Sequence, residues 1–261
     1  DYTLAKALET YGHEYAMHFP HHAWTAGRDK KLSPVHAKVL ELGGQMGAYN
    51  GWERANWFAK AGDDTSEEAT QTWDRNGPWA PRIKEEVEAV RDSVGVLDLP
   101  GFSRFNLSGE GAAEYLRGMI SGGLPKVGRM NLAYFPDSRG RILTEMSIMR
   151  HDEDFFTLIT AAVAQWHDFD VLNKNLPAGL TLTDHTDEYS TLIVSGPKSR
   201  ALFEAMGTEA DLTAGWLSTQ PAKVAGINCA LARVSFAGEL GWEIHAALAD
   251  IPALYDAVIA A

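Results

Sequence analysis

A strand, a Ser-Gly turn and a helix occur twice in this chain, and this repetition constrains the fold more than any other feature. The first copy centres on Ser108-Gly109 and the second on Ser195-Gly196. In each copy an apolar segment with strand-like composition precedes the turn, and a helical pattern follows it. Repeated units of this kind predict an α+β protein with two related lobes.

Composition excludes several classes of protein. The chain has 261 residues, 45% of them hydrophobic, and a formal net charge of −12. This is the composition of a globular protein, and the acidic balance disfavours a nucleic-acid partner because no basic stripe can displace counterions. The single cysteine, Cys229, excludes an internal disulfide framework. No apolar run reaches the length of a membrane span, so we expect no membrane association and a cytoplasmic protein.

The amino-acid composition and patterning of the chain change along its length. Residues 1–60 are rich in His, Tyr, Trp and Gly; we expect one helix within 1–15 and a compact aromatic loop at 51–58. Residues 61–80 are acidic and then turn-rich, which is typical of a linker. Residues 81–261 carry the alternating strand and helix patterns of the two lobes.

Glu145 is the first candidate functional residue. It lies in an apolar segment, residues 142–149, that reads as a strand. A carboxylate on a central strand would be desolvated, and its pKa would rise into the range useful for acid–base work. The alternative is a solvent-facing strand position, which is the commoner place for a carboxylate.

The second candidate is the glycine-containing loop at residues 235–243, between two predicted strands. Glu239 and Glu243 could accept hydrogen bonds from a donor-rich heterocycle, and Phe236 and Trp242 could stack on it. The alternative is an ordinary hairpin with packed aromatic side chains.

The histidines and glycines predict no further cofactor site. The adjacent His21 and His22 are expected to point apart, and we predict no metal site. No Gly-x-Gly-x-x-Gly pattern follows a strand, so the chain has no dinucleotide fingerprint of its own.

Four separated segments of the chain resemble the folate-binding aminomethyltransferase family, which includes the T-protein of the glycine cleavage system. They are residues 86–99, 102–109, 140–145 and 233–243. The resemblance implies two related ferredoxin-like, split βαβ lobes followed by a β-rich C-terminal domain. We expect that last domain to be missing from this chain.

The resemblance also implies roles for particular residues. Glu145 takes the position of an acidic residue, usually Asp, that orients the folate and would be the catalytic group. Glu243 takes the position of the carboxylate that grips the pterin. The other implied cofactor-binding positions are Phe236, Trp242, Leu132, Thr144 and Met146. Phe236 and Leu132 stand where the family often has Tyr, which weakens the expected polar contacts.

Residues 33–58 resemble the bridge that joins an FAD oxidoreductase domain to the folate domain in dimethylglycine and sarcosine dehydrogenases. We therefore expect a bridge at 1–60, a linker at 61–80 and an incomplete folate-binding domain at 81–261. The implied reaction is oxidation of an N-methyl amine by an FAD domain in the same full-length chain. Tetrahydrofolate then captures the one-carbon unit as 5,10-methylene-tetrahydrofolate.

Two alternatives remain open at this point. The chain could serve a folate-dependent demethylase of another methylated small molecule, or it could be a degenerate, non-catalytic folate lobe that supports the oxidase. The resemblance also implies that the isolated piece binds folate poorly, because an Arg-bearing C-terminal segment of the family lies beyond residue 261.

Overall fold

The computed structural model describes residues 2–261, which form two five-stranded sheets and a separate two-stranded hairpin. The strands are β1 Gly44–Tyr49, β2 Trp52–Phe58, β3 Gly95–Asp98, β4 Phe102–Ser108, β5 Arg129–Pro136, β6 Ile142–Asp152, β7 Phe155–Ala161, β8 Thr181–Asp184, β9 Tyr189–Ser195, β10 Thr219–Val224, β11 Ile227–Ala232 and β12 Gly241–Ala247. The α-helices are α1 Tyr2–Gly12, α2 His36–Glu41, α3 Glu67–Thr70, α4 Trp79–Asp92, α5 Ala112–Met119, α6 Gln165–Asn173, α7 Ser199–Ala205 and α8 Ile251–Ala260. No helix in this described part is long and apolar enough to cross a membrane.

The first lobe is an antiparallel sheet with strand order β5-β6-β7-β4-β8. Helices α5 and α6 contribute to the core on one of its faces, where Phe105, Leu116, Phe135, Ile148 and Leu172 are fully or almost fully buried. Because neighbouring residues of a strand point to opposite faces, the other face of this sheet is free to meet the second lobe.

The second lobe is an antiparallel sheet with strand order β10-β11-β12-β9-β3. Its core lies between one sheet face and helices α7 and α8, and includes Phe203, Trp242, Ile244 and Leu254. The expected repetition is confirmed, since β4 leads into α5 and β9 leads into α7. Strand β10 was not predicted from the sequence.

Glycine is required in the second of the two repeated turns. Gly196 has φ +132, and a Cβ atom built there would lie 2.4 Å from the carbonyl oxygen of Ser93. Gly109, at the same point of the first copy, has φ +119. Both turns thus use a backbone conformation that L side chains rarely adopt.

The N-terminal segment differs from the prediction at one point. Residues 51–58 do not form an aromatic loop; they lie mostly in β2, which pairs antiparallel with β1. The turn between them is Asn50-Gly51, with φ +53 and +84. Two residues with positive φ form the type I′ turn that Asn-Gly favours, so the sequence contained the hairpin signal. Met46, Ala55 and Phe58 of this hairpin pack against the core of the second lobe.

The two sheets meet through the faces opposite their own helices. Met130, Met149 and Ile159 of the first lobe pack against Ala232 of the second, and all four are buried. The backbone nitrogen of Met130 also donates to the carbonyl of Leu217 at 2.9 Å. We call this contact the inter-lobe seam.

Candidate functional site

Strand β6 carries Glu145 to the seam face of the first lobe, beyond the buried Met149. Residues at alternate positions of a strand share a face, so Glu145 and Ser147 point the same way as Met149. Across the pair β5–β6, Glu145 is opposite Tyr134 and Ser147 is opposite Leu132. Leu132 is 52% exposed. These side chains therefore form an open, partly apolar surface beside the seam.

The expectation that Glu145 is desolvated is wrong, because its side chain is exposed to solvent. The strand leaves the carboxylate on the seam face, and the core of the first lobe lies behind the other face. An exposed carboxylate can reach a ligand without first giving up a buried partner, so the position remains compatible with a contact role.

The two neighbours of Glu145 face the other way. Met146 is 1% exposed and belongs to the core of the first lobe. Thr144 is half-buried and pairs with Phe135, another core residue. The prediction that Met146 contacts a cofactor is therefore corrected, since the alternation of the strand places its side chain inside the lobe.

Glu243 lies on the seam face of the second lobe, in strand β12, opposite Ala232 of β11. Its side chain is 24% exposed, and Oε2 accepts a hydrogen bond from Nε2 of His245 at 3.0 Å. The carboxylate is thus held in place while one side of it remains accessible. Of the two predicted carboxylates, Glu243 is the one that is fixed by neighbouring groups.

A buried polar network stands behind Glu243. Arg104 of β4 is almost fully buried and donates to the carbonyl of Tyr189, to the hydroxyl of Thr191 and to Nδ1 of His245. Arginine only donates, so Nδ1 of His245 accepts and the proton lies on Nε2, which faces Glu243. This network joins strands of both lobes at the seam.

Burial sets the charge states in this network. Burial lowers the pKa of His245, and the positive charge of Arg104 acts in the same direction, against the opposing effect of Glu243. Burial also lowers the pKa of Arg104, to about 10, while the charge of Glu243 opposes this shift. At neutral pH the network therefore holds a neutral imidazole between a cation and a carboxylate.

The loop between β11 and β12 carries the remaining predicted residues. Phe236 is fully exposed at its tip. Glu239 carries a buried oxygen, Oε2, that has no hydrogen-bond partner within residues 2–261. A buried acceptor without a donor is costly, and it is the kind of group that a ligand N–H would satisfy. The sequence had pointed to Glu239 only as a possible acceptor.

Trp242 lies inside the second lobe. It is fully buried, and its ring packs edge-on against Phe203 with centroids 5.3 Å apart. The prediction that Trp242 stacks on a cofactor is corrected, because its side chain points away from the seam face that carries Glu243. Phe236 is the aromatic side chain of this loop that is open to a ligand.

A cleft with a volume of about 690 Å³ lies at the other end of the seam. Strand β6 reaches it at Arg150 and His151, beyond the buried Met149, so it is on the side away from Glu145. Arg104 and His245, of the network behind Glu243, also line it. Its lining includes Asn106, His151, Thr157, Tyr189 and Asn228. Cys229 also lines it, and burial raises the pKa of that thiol to about 11, so the thiol stays protonated at neutral pH. Sequence patterns had not indicated this cleft.

Three histidines converge in the N-terminal segment, which is contrary to the expectation that the histidines form no metal constellation. One ring nitrogen each from His13, His18 and His22 lies within 4.8 Å of the other two. His18 and His22 have the His-x3-His spacing, with three residues between them, so the sequence contained a signal that the prediction missed.

Comparison with known proteins identifies the family. Residues 35–261 match the family described as the GCVT N-terminal domain. The chain belongs to this family. Residues 1–33 of this GCVT-family chain match the FAD dependent oxidoreductase central domain, which confirms the predicted resemblance to FAD-linked members. The boundaries at residues 60 and 80 stay predictions, and Val35 and Val39 already pack in the core of the second lobe.

The relatives of this GCVT-family chain are enzymes. Dimethylglycine dehydrogenase, mitochondrial, of Rattus norvegicus is 31% identical over 99% of this chain. The 4-methylaminobutanoate oxidase (formaldehyde-forming) of Paenarthrobacter nicotinovorans is 31% identical over 94% of it. The chain spans only 30% of the length of each of these relatives.

A solved structure confirms the expected fold of this GCVT-family chain. The glycine cleavage system aminomethyltransferase T from Bartonella henselae aligns with a TM-score of 0.71 at 19% identity. The alignment covers 88% of this chain and 57% of that chain. The two-lobed α+β architecture is therefore that of the aminomethyltransferases.

Proposed function

We propose that this chain takes up the one-carbon unit of an oxidised N-methyl amine onto tetrahydrofolate, giving 5,10-methylene-tetrahydrofolate. The amine is of the dimethylglycine or sarcosine type, and an FAD oxidoreductase domain of the same full-length protein oxidises it. The observation that carries the proposal is the pair of carboxylates, Glu145 and Glu243, on the two faces of the seam in a GCVT-family chain.

The residues at the seam fit a pterin. A pterin ring presents several N–H donors; strand β12 offers the accessible carboxylate of Glu243, and the loop before it offers the unpartnered Oε2 of Glu239. Phe236 adds an exposed aromatic face on which a flat heterocycle can stack. Few but directed polar groups beside apolar surface are typical of small-molecule sites.

Tetrahydrofolate, when bound, supplies the nucleophilic nitrogen for the reaction. The role of the protein is to hold the tetrahydrofolate and to orient it. Glu243, fixed by His245, would anchor the ring, and Leu132 would line the surface beside it. Glu145 would orient the reacting end and stabilise positive charge that develops there. These are effects of proximity and electrostatic preorganisation, which account for large parts of enzymatic rate enhancements.

Calorimetric titration of the intact protein with tetrahydrofolate tests this proposal. We expect saturable binding that Glu243→Gln weakens about tenfold or more, which corresponds to about 1.4 kcal/mol. Glu114→Gln, an exposed carboxylate on α5, is the matched control and should bind like the wild type. If the wild type shows no binding above background, or if Glu243→Gln binds unchanged, the assignment is wrong.

A second candidate has a specific observation in its favour. The relative from Paenarthrobacter is named as a formaldehyde-forming oxidase, and its 31% identity over 94% of this chain compares with 31% over 99% for the dimethylglycine dehydrogenase. Leu132 and Phe236 add apolar rather than polar contacts at the site. In this alternative the folate lobe is degenerate and only supports the oxidase. Formaldehyde release that added tetrahydrofolate does not lower would favour it.

A further inference from the structure

The three-histidine cluster belongs to the N-terminal segment and is not part of the seam. His13 follows directly after α1, whereas His18 and His22 lie in the loop that comes after it. The rings of His13 and His18 are 4.8 Å apart between centroids, and those of His18 and His22 are stacked at 4.7 Å. Trp24 closes one side, with its ring 4.9 Å from that of His13. All three imidazoles are half-buried.

One ligand of this cluster is already oriented. Nδ1 of His22 lies 2.9 Å from the side-chain oxygen of Gln71. An amide oxygen only accepts, so Nδ1 carries the proton and Nε2 presents its lone pair. A hydrogen bond that fixes the tautomer and ring direction of a histidine is the usual companion of metal ligation.

From this geometry we propose that His13, His18 and His22 bind one divalent transition-metal ion of the class that imidazole favours, such as Zn²⁺. Zinc–nitrogen bonds of about 2.0–2.1 Å place the ligand atoms of a tetrahedral site roughly 3.4 Å apart. The present spacing of up to 4.8 Å requires the rings to move inward by about an ångström, which small side-chain rotations supply. Three protein ligands leave the fourth position for water or another donor.

Such an ion would link the end of α1, the loop after it and the segment before α4. Helix α1 has no buried residue. Its attachment to the following loop includes Glu9, whose carboxylate accepts from the backbone nitrogen of Ala26 at 2.7 Å. A metal ion would connect the end of α1 to the loop, and through Gln71 to the segment before α4. The role is structural, and it is separate from the proposed folate chemistry.

Metal titration of the intact protein, after removal of metal with a chelator, tests this proposal. Co²⁺ serves as the spectroscopic probe, since its visible absorption reports imidazole coordination, and Zn²⁺ is measured by competition with a chromophoric chelator. We expect the wild type to bind one more equivalent than the triple variant His13→Ala, His18→Ala, His22→Ala. The thermal midpoint should rise with Zn²⁺ in the wild type only, because a ligand of the native state stabilises it.

A single variant keeps the test valid if the triple variant does not fold. His22→Gln retains a polar side chain and should weaken Zn²⁺ binding at least tenfold. His21→Asn is the matched control, because His21 is adjacent in sequence, tolerates Asn at its φ of +66, and packs on Trp79 outside the cluster. It should bind like the wild type. Equal metal stoichiometry in the wild type and the triple variant, or unchanged affinity of His22→Gln, would overturn the proposal.

Discussion

His245 donates a hydrogen bond from Nε2 to Oε2 of Glu243 across 3.0 Å, and its other ring nitrogen faces the buried Arg104. The imidazole is therefore fixed from both sides, and it fixes the one predicted folate carboxylate that the structure holds in a defined direction. His245 acts through Glu243, so it is a positioning residue rather than a catalytic one.

Replacing His245 tests this positioning role. We expect His245→Ala to weaken tetrahydrofolate binding about tenfold, since Glu243 loses the donor that orients it. His245→Gln retains a donor and should recover most of the affinity. Calorimetry on the intact protein measures both, with His185→Ala as a control for an imidazole that binds Glu188 instead. An equal loss in the Ala and Gln variants would argue against positioning.

Glu145 should matter for the reaction and not for stability. Its side chain is exposed, so Glu145→Gln should leave the thermal midpoint unchanged within about 1 °C. Formation of 5,10-methylene-tetrahydrofolate should fall by about 10²-fold or more, because a preorganised charge is lost where positive charge develops. Steady-state assays with and without tetrahydrofolate measure this, and amine oxidation itself should continue. A variant with wild-type product formation would exclude Glu145 from the site.

Trp242 should behave as a core residue. Trp242→Ala should lower the free energy of unfolding by about 3–5 kcal/mol, because it leaves a large cavity beside Phe203. Trp242→Phe should cost much less, since it removes an indole Nε1 that is buried without a partner in the described chain. Chemical denaturation measures both values. Tetrahydrofolate affinity of Trp242→Phe should match the wild type, and a large loss of affinity would restore the stacking role.

The buried carboxyl of Asp98 should make the stability of the protein depend on pH. Burial raises the pKa of Asp98 to about 6, against opposing effects of Ser33 and His36. Because the pKa of Asp98 is raised in the folded state, that state binds the proton more tightly than the unfolded chain does. The stability that this proton provides is fully present below the unfolded pKa of about 3.9 and is lost as pH rises through about 6. Above that pH, ionisation of the buried group costs on the order of 2–3 kcal/mol.

Asp98→Asn removes this cost. We expect the variant to be more stable than the wild type by about 1–3 kcal/mol near pH 7.5, with the difference shrinking as pH falls from about 6 to about 4. Urea unfolding at several pH values measures this, and Asp74→Asn in the exposed segment before α4 serves as the control. A gain in stability that does not vary with pH would contradict the explanation.

Local patterns in the sequence were sufficient for most elements of the fold. Strand β6 begins at the predicted residue 142, and both repeated strand–turn–helix units are present, because hydrophobic periodicity reports the buried face of an element directly. The hairpin β1–β2 lies where an aromatic loop was expected, although Asn50-Gly51 is a hairpin turn signal. Strand β10 carries no comparable local signal.

The candidate site was predicted only in part. Assigning Thr144, Glu145 and Met146 to the same ligand conflicts with the alternation of a strand, and the structure accordingly keeps only Glu145 on the seam face. The same alternation separates Trp242 from Glu243. The alternation of side chains along a strand can be read from the sequence. The sequence does not show which face of each sheet meets the other lobe.

The sequence by itself determined the family and the order of the lobes, and it pointed to the carboxylates of Glu145 and Glu243 as candidates, because these depend on residue types at fixed spacings along the chain. Tertiary structure alone decided what surrounds those carboxylates. Arg104 and His245 are 141 residues apart, and the residue that orients the ring of His22 is Gln71, 49 residues further along the chain. Burial, charge state and ligand direction arise from such long-range contacts, and no local pattern encodes them.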